Sequence, residues 1–220
     1  ATASSVDASS AAVDATVNND KVVGIELATG TLSTGTTLAL DADAVSSQIA
    51  SASNIGDPLG SDEDATATVA SADGIYGIQD TIITVGTNTT QLTSSATLVG
   101  DATASNMSGT STAQAGGTAG EVIALDDSAT TIGLNATNGM SFQASSTLSA
   151  DASSIEDDAL AQAGNVDLFD ATLTTATALG FTADVVTGVD TSNITVGNDA
   201  GTILAGATGR LEAIASTKGT

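Results

Sequence analysis

Four times along the chain a Leu opens a run in which every second residue is apolar or small: Leu38-Leu40-Ala42-Ala44, Leu98-Gly100-Ala102-Ala104, Leu148-Ala150-Ala152 and Leu211-Ala213-Ala215. A period of two belongs to a β-strand, whose successive side chains point to opposite faces. One face of each run is therefore apolar or small, and the other is mostly polar, with Asp the commonest residue. A β-branched residue followed by Gly stands upstream of each Leu: Val23-Gly24, Val85-Gly86, Ile132-Gly133 and Val196-Gly197. Together the Val/Ile-Gly and Leu anchors define a repeat, and the unequal steps from Leu38 to Leu98, Leu148 and Leu211 place insertions in its loops.

On this reading the chain is a single elongated repeat domain over 1–220. It has a partial unit at 1–20, units at about 21–80, 81–128 and 129–190, and a partial unit at 191–220. Ala1-Thr2-Ala3-Ser4 repeats Ala102-Thr103-Ala104-Ser105, so the first residue falls inside an alternating strand, and the last residues stop inside another. The expectation is a piece of a longer array, or a subunit whose ends, Ala1–Ala12 and Leu211–Thr220, are completed by strand pairing with another copy.

Side-chain size narrows the fold further. Ala, Gly, Ser and Thr fill 124 of 220 positions, and the only rings are Tyr76, Phe142, Phe169 and Phe181. Large rings dominate ordinary globular cores, so this core must be thin. Disorder goes with low hydropathy and many Pro, whereas mean hydropathy here is +0.23 and Pro58 stands alone. The expected fold is all-β, a stacked-strand repeat of β-solenoid type, with a β-sandwich subunit of a filament as the alternative. Thr81–Val85, Leu173–Thr177 and Asn193–Val196 read as strands. Ser153-Ser154-Ile155-Glu156 has capping-box spacing, so 153–164 reads equally as a helix or as a small-residue strand. Asp57–Asp64 and Gly109–Gly120 read as loops.

The charge excludes whole classes of partner. Twenty-six acids against Lys21, Arg210 and Lys218 give a net charge of −23, which repels nucleic acid and offers no basic stripe for phosphates. Of those acids 21 are Asp, the turn-forming acid. Such a surface stays soluble, and salt screens its self-repulsion. No apolar run reaches the roughly 18 residues of a membrane-spanning helix. The chain opens on Ala1 without a basic and then apolar leader, as expected of a processed chain or an excerpt.

Catalysis has little to work with. Without His or Cys there is no Ser–His–Asp or Cys–His apparatus and no His- or Cys-ligated zinc. The acid pairs Asp126-Asp127, Asp157-Asp158 and Asp62-Glu63-Asp64 read as solvated turn acids, and the chain is not expected to be an enzyme or to need a cofactor. Calcium is the one ion that Asp carboxylates and loop carbonyls would suit. Its candidate ligands are Asp57, Asp62 and Asp64, or Asp41 and Asp43, but no calcium-loop signature surrounds them. Thr-x-Thr pairs are as frequent as 36 Thr residues give at random, and sequons at Asn88, Asn106, Asn135 and Asn193 permit glycosylation without indicating it.

The Leu-x-Ala-x-Ala unit, its upstream Val/Ile-Gly, the Ala/Thr/Ser/Gly/Asp palette and the missing Cys and His together resemble the repeat regions of large secreted bacterial, archaeal or phage surface proteins, of adhesin, surface-layer, fibre or filament type. The resemblance implies an extracellular or cell- or virion-surface location and a structural subunit that self-assembles by strand addition. The alternative it leaves is a stalk module holding a separate binding domain of an adhesin.

Overall fold

The structure, a computed structural model, describes residues 1–5, 13–19, 21–27, 31–35, 38–54, 64–71, 74–89, 91–107, 109–115, 121–133, 135–136, 139–155, 159–163, 177–180, 186–198 and 201–217. All regular structure in these residues is β-strand, and every pairing is parallel.

The chain visits four sheets in a constant order, pass after pass. It starts with β1 (Thr2–Ser5), β2 (Val13–Asn19), β3 (Val22–Glu26) and β4 (Thr31–Thr34). The next pass is β5 (Ala39–Asn54), β6 (Ala65–Ser71), β7 (Ile75–Gln79), β8 (Ile82–Val85) and the short β9 (Asn88–Thr89). Then come β10 (Gln91–Asn106), β11 (Ser111–Ala115), β12 (Val122–Asp126), β13 (Ala129–Ile132) and β14 (Asn135–Ala136). A further pass holds β15 (Met140–Ser154), β16 (Ala159–Ala163), an additional β17 (Thr177–Gly180), β18 (Val186–Asp190) and β19 (Asn193–Val196), and β20 (Ile203–Thr217) closes the series. The long sheet has the order β1-β5-β10-β15-β20, the second β17-β16-β11-β6-β2, the third β18-β12-β7-β3 and the fourth β19-β13-β8-β4, while β9 pairs with β14.

Alternation builds the long sheet as the sequence suggests. In β10, Leu92, Ser94, Ala96, Leu98, Gly100, Ala102, Ala104 and Asn106 point inward and are buried, with Thr, Ser, Val and Asp between them outside. Each fully buried Leu removes apolar surface worth roughly 1.5–3 kcal/mol. The phase of the repeat differs from the sequence reading. Leu98 lies beside Ser46 rather than in the row of Leu38, and Leu148 lies beside Gly100; only Leu148 and Leu211 share a row. The true steps are those that set Ala44, Ala96, Ala144 and Ala207 side by side. Leu, Ser, Gly and Gln all fill inward positions of one row or another, so Leu alone misidentifies the phase. The helical alternative over 153–164 does not form: β15 ends at Ser154 and Ala159–Ala163 is β16.

The interior is two narrow columns rather than one core. Ala50, Ala52, Ala65, Ala67, Val69, Leu98, Ala102, Ala113, Leu148, Ala150 and Ala161 fill the one between the long and second sheets. Ile78, Ile83, Val85, Leu92, Leu125, Ile132, Met140 and Phe142 fill the one toward the fourth sheet. A waist separates them, where Gly24, Gly77, Ala124 and Gly188 share a row of the third sheet. There the two walls meet backbone to backbone: a Cβ on Gly24 would lie 3.2 Å from the Asp43 carbonyl, and one on Gly188 2.8 Å from Gly206 N. Ser94 Oγ bridges the waist, donating to Ala124 O over 2.5 Å. Strands crossing it lose the alternation, so Val122–Asp126 is buried at every position.

The Val/Ile-Gly signal divides between two rows. Gly86, Gly133 and Gly197 form one, each N–H donating to the preceding pass, to Thr34 O, Val85 O and Ile132 O over 2.8, 2.8 and 2.9 Å. Val23-Gly24 belongs instead to the waist, beside Tyr76-Gly77.

Candidate functional site

Between the third and fourth sheets the chain turns a corner with the same three-residue device in three successive passes, at 79–81, 126–128 and 190–192. Asp80, Asp127 and Thr191 take left-handed φ angles of 48, 42 and 40°. Asp tolerates that region, and Thr adopts it at a cost because it is β-branched. The following hydroxyls form a ladder. Thr81 Oγ1, Ser128 Oγ and Ser192 Oγ each donate to the carbonyl two residues back, all over 2.7 Å. Each also accepts the N–H of the preceding pass, from Leu27 at 3.2 Å, Thr81 at 3.1 Å and Ser128 at 3.0 Å.

Beside this ladder runs an acid row, Glu26, Gln79, Asp126 and Asp190. Asp126 is buried, and its Oδ2 accepts Gln79 Nε2 at 2.8 Å. Burial holds its pKa above the ordinary carboxylate range, aided by the negative charges of Asp127, Asp190 and Glu121, while the Gln79 amide pulls the other way. Thr191 Oγ1 donates to Asp127 Oδ1 at 2.6 Å. At the N-terminal end of the row Lys21 Nζ lies 2.9 Å from Glu26 Oε1 and 5.6 Å from the Tyr76 ring centre, and Tyr76 donates its hydroxyl proton to Glu121 at 2.8 Å.

The sequence-derived calcium ligands do not come together. Asp57 and Asp62 lie outside the described residues. Asp64 is exposed and accepts Thr110 N–H at 3.2 Å. Asp41 and Asp43 stand on the outer face of β5, where Asp41 accepts the Thr93 hydroxyl and Asp43 accepts Ser95 Oγ at 2.5 Å. They join neighbouring strands of the long sheet. Among the described residues no group of three or more acids is arranged to hold a metal ion. Of the sequons, Asn106 is buried and donates to Thr110 O at 3.2 Å, whereas Asn193 is exposed. An open groove of 340 Å³ lined by Gln91, Thr93, Gly139, Met140, Ser141, Thr202 and Leu204 contains no titratable side chain.

The ends of the stack are its most distinctive surface. β20 pairs only with β15 among the described strands, leaving one edge of 15 residues bare, with Ile203, Leu204 and Ile214 46, 55 and 48 % exposed. Val186, Val189, Ile194, Val196 and Leu211, which continue buried rows, are half-buried there. At the other end Ala1–Ser5 covers only the final residues of β5: Thr2 aligns with Ser51, and Ala1 N donates to Ile49 O over 2.7 Å. Residues 39–50 of β5 have no neighbouring strand on that side among the described residues. The candidate segments Ala1–Ala12 and Leu211–Thr220 thus include residues at opposite ends of the stack, while 6–12 and 218–220 lie outside the described residues. Among the described residues no helix is long and apolar enough to cross a membrane.

Comparison of the chain with protein-family models, with curated proteins and with solved structures finds no match.

Proposed function

We propose that the chain is a structural subunit or segment of an extracellular filament, fibre, sheath or surface layer, a β-solenoid-like stack that assembles with its own copies through strand addition and small-residue packing. The carrying observation is that the bare edge of β20 continues rows that are buried one strand earlier, as Leu211 continues the row of Leu148. A long regular strand with an unprotected edge is a template for another strand, and folded monomers ordinarily blunt such edges. Composition supports this through the acid surface and the lack of His and Cys, and among the described residues Asp41 and Asp43 are engaged in hydrogen bonds between strands. The cell or virion surface is the setting this reading calls for.

One observation favours the second reading, a monomeric stalk within an adhesin. β17 adds a fifth strand to the second sheet at the end where a further copy would join. Electron microscopy at high salt, beside sizing of the purified chain, separates the two. Regular polymers are the expected result, and a monomeric rod at all concentrations would leave the stalk.

A further inference from the structure

We propose that β17 is a self-cap: it stands in the slot that β2 of a second copy of this chain would enter, so that end-to-end joining requires β17 to leave. The inference rests on the self-assembly reading above.

The slots can be followed row by row. In the second sheet one row runs Asp14, Thr66, Thr112, Leu160 and ends on Thr177 of β17. In the long sheet one runs Thr2, Ser51, Thr103, Asp151 and ends on Ile214. The third and fourth sheets stop one strand sooner, on β18 and β19. The C-terminal end is therefore a step. The N-terminal end is a step too, because β2, β3 and β4 are in place while no described strand borders residues 39–50 of β5.

The two steps fit over most of their outline. A second copy whose β3 adds to β18 and whose β4 adds to β19 sets Val22 beside Val186, Ile25 beside Val189 and Thr34 beside Val196, continuing the rows already formed within one chain. In the same placement residues 203–213 of β20 fall along residues 40–50 of the second copy's β5, by extension of the register of the long sheet. The charges agree with it. Asp190 ends the acid row, and the residue it would meet, Glu26, already carries the Lys21 ammonium at 2.9 Å.

Among the described residues the misfit is confined to two places. Residues 214–217 would compete with the second copy's β1, and β17 would compete with its β2. By the register of the second sheet Val13–Val17 of β2 align with all five residues of β16, whereas β17 pairs with four, so β2 can match that edge along its whole length. The chain also has length to release β17: the whole of 164–185 separates β16 from β18, where only 116–121 separates β11 from β12. A cap open about one-tenth of the time would weaken apparent joining about tenfold.

The test compares the full chain with a variant lacking residues 165–180, which shortens the link to that of 116–121, by light scattering and electron microscopy over a concentration series. A second variant, Ala178→Pro with Leu179→Pro, keeps the length. N–H groups of successive strand residues point to opposite sides, so one proline removes a donor to β16 in either phase. Both variants are expected to polymerise at a concentration about tenfold below that of the parent. Equal thresholds in parent and variants would overturn the cap while leaving self-assembly standing. Variants with the parent's strand circular dichroism that stay monomeric, as the parent does, at every concentration would overturn both.

Discussion

Asp126 stands beside Asp190 in the neighbouring parallel strand, and on its other side it accepts a hydrogen bond from Gln79 at 2.8 Å. A buried carboxylate between an acid and an amide is costly while charged. Its folded-state pKa is raised, so the folded chain holds that proton more tightly than the unfolded chain does. The resulting stability is fully present below the unfolded-state pKa and is lost as pH rises through the folded-state value. Asp126→Asn keeps an oxygen for Gln79 and removes the charge. It is expected to raise the melting temperature at pH 7 and to reduce the gain in melting temperature seen on acidification toward pH 4. Thermal denaturation across that range, parent against variant, measures both.

At the waist, a methyl group on Gly77 would run into Ser94 Oγ and lie 2.7 Å from Ala124 O and 2.8 Å from Ser95 O. Gly77→Ala is expected to cost about 2–3 kcal/mol through overpacking against backbone that cannot retreat. Gly35, with nothing within 4 Å of its would-be Cβ, is the control. Gly35→Ala should change stability by no more than about 0.5 kcal/mol. Urea titration of the two variants reads the difference.

Ser128 Oγ links two passes, accepting from Thr81 N–H and donating to Asp126 O. Ser128→Ala leaves the buried Thr81 N–H without that acceptor and should cost about 1–3 kcal/mol. Ser128→Thr should be tolerated, since Thr81 occupies the same place one pass earlier. Amide hydrogen exchange at Thr81 should accelerate in the alanine variant alone.

Leu148 is 1 % exposed, and its neighbour in the row, Leu211, is half-buried. Leu148→Ala should cost about 2–5 kcal/mol, and Leu211→Ala distinctly less in the monomer. Chemical denaturation at a concentration too low for association tests the pair.

Much of the strand content was legible because a period of two survives in any alternation of small and hydroxyl residues. The long strands were readable for that reason, and the row of Gly86, Gly133 and Gly197 from the Val/Ile-Gly pair. Phase was not. Ser46, Leu98, Ser146 and Gly209 share an inward row, and a search for Leu cannot find a row in which Leu occurs once. Gly24 was grouped with the wrong glycines because Val-Gly marks both the waist and a turn, and only strand register distinguishes them. The corner device went unread because its left-handed residues are Asp80, Asp127 and Thr191, alike in backbone and different in side chain. Asp126 looked like a turn acid beside Asp127. Its environment depends on Gln79 and Asp190, one pass before it and one pass after, and no local pattern reports them.

Because the interior is two narrow columns and each strand pairs with the passes before and after it, the passes lean chiefly on their nearest neighbours. Cooperativity is then expected to decay along the stack instead of spanning it. Inward residues of β10 and β15 are fully covered and those of β20 are not. Thermal opening should therefore begin as fraying at β20 and advance pass by pass toward β10. A joint with another copy would turn that fraying strand into an interior one, so the length of the assembly, as much as its sequence, would set how long each amide stays protected.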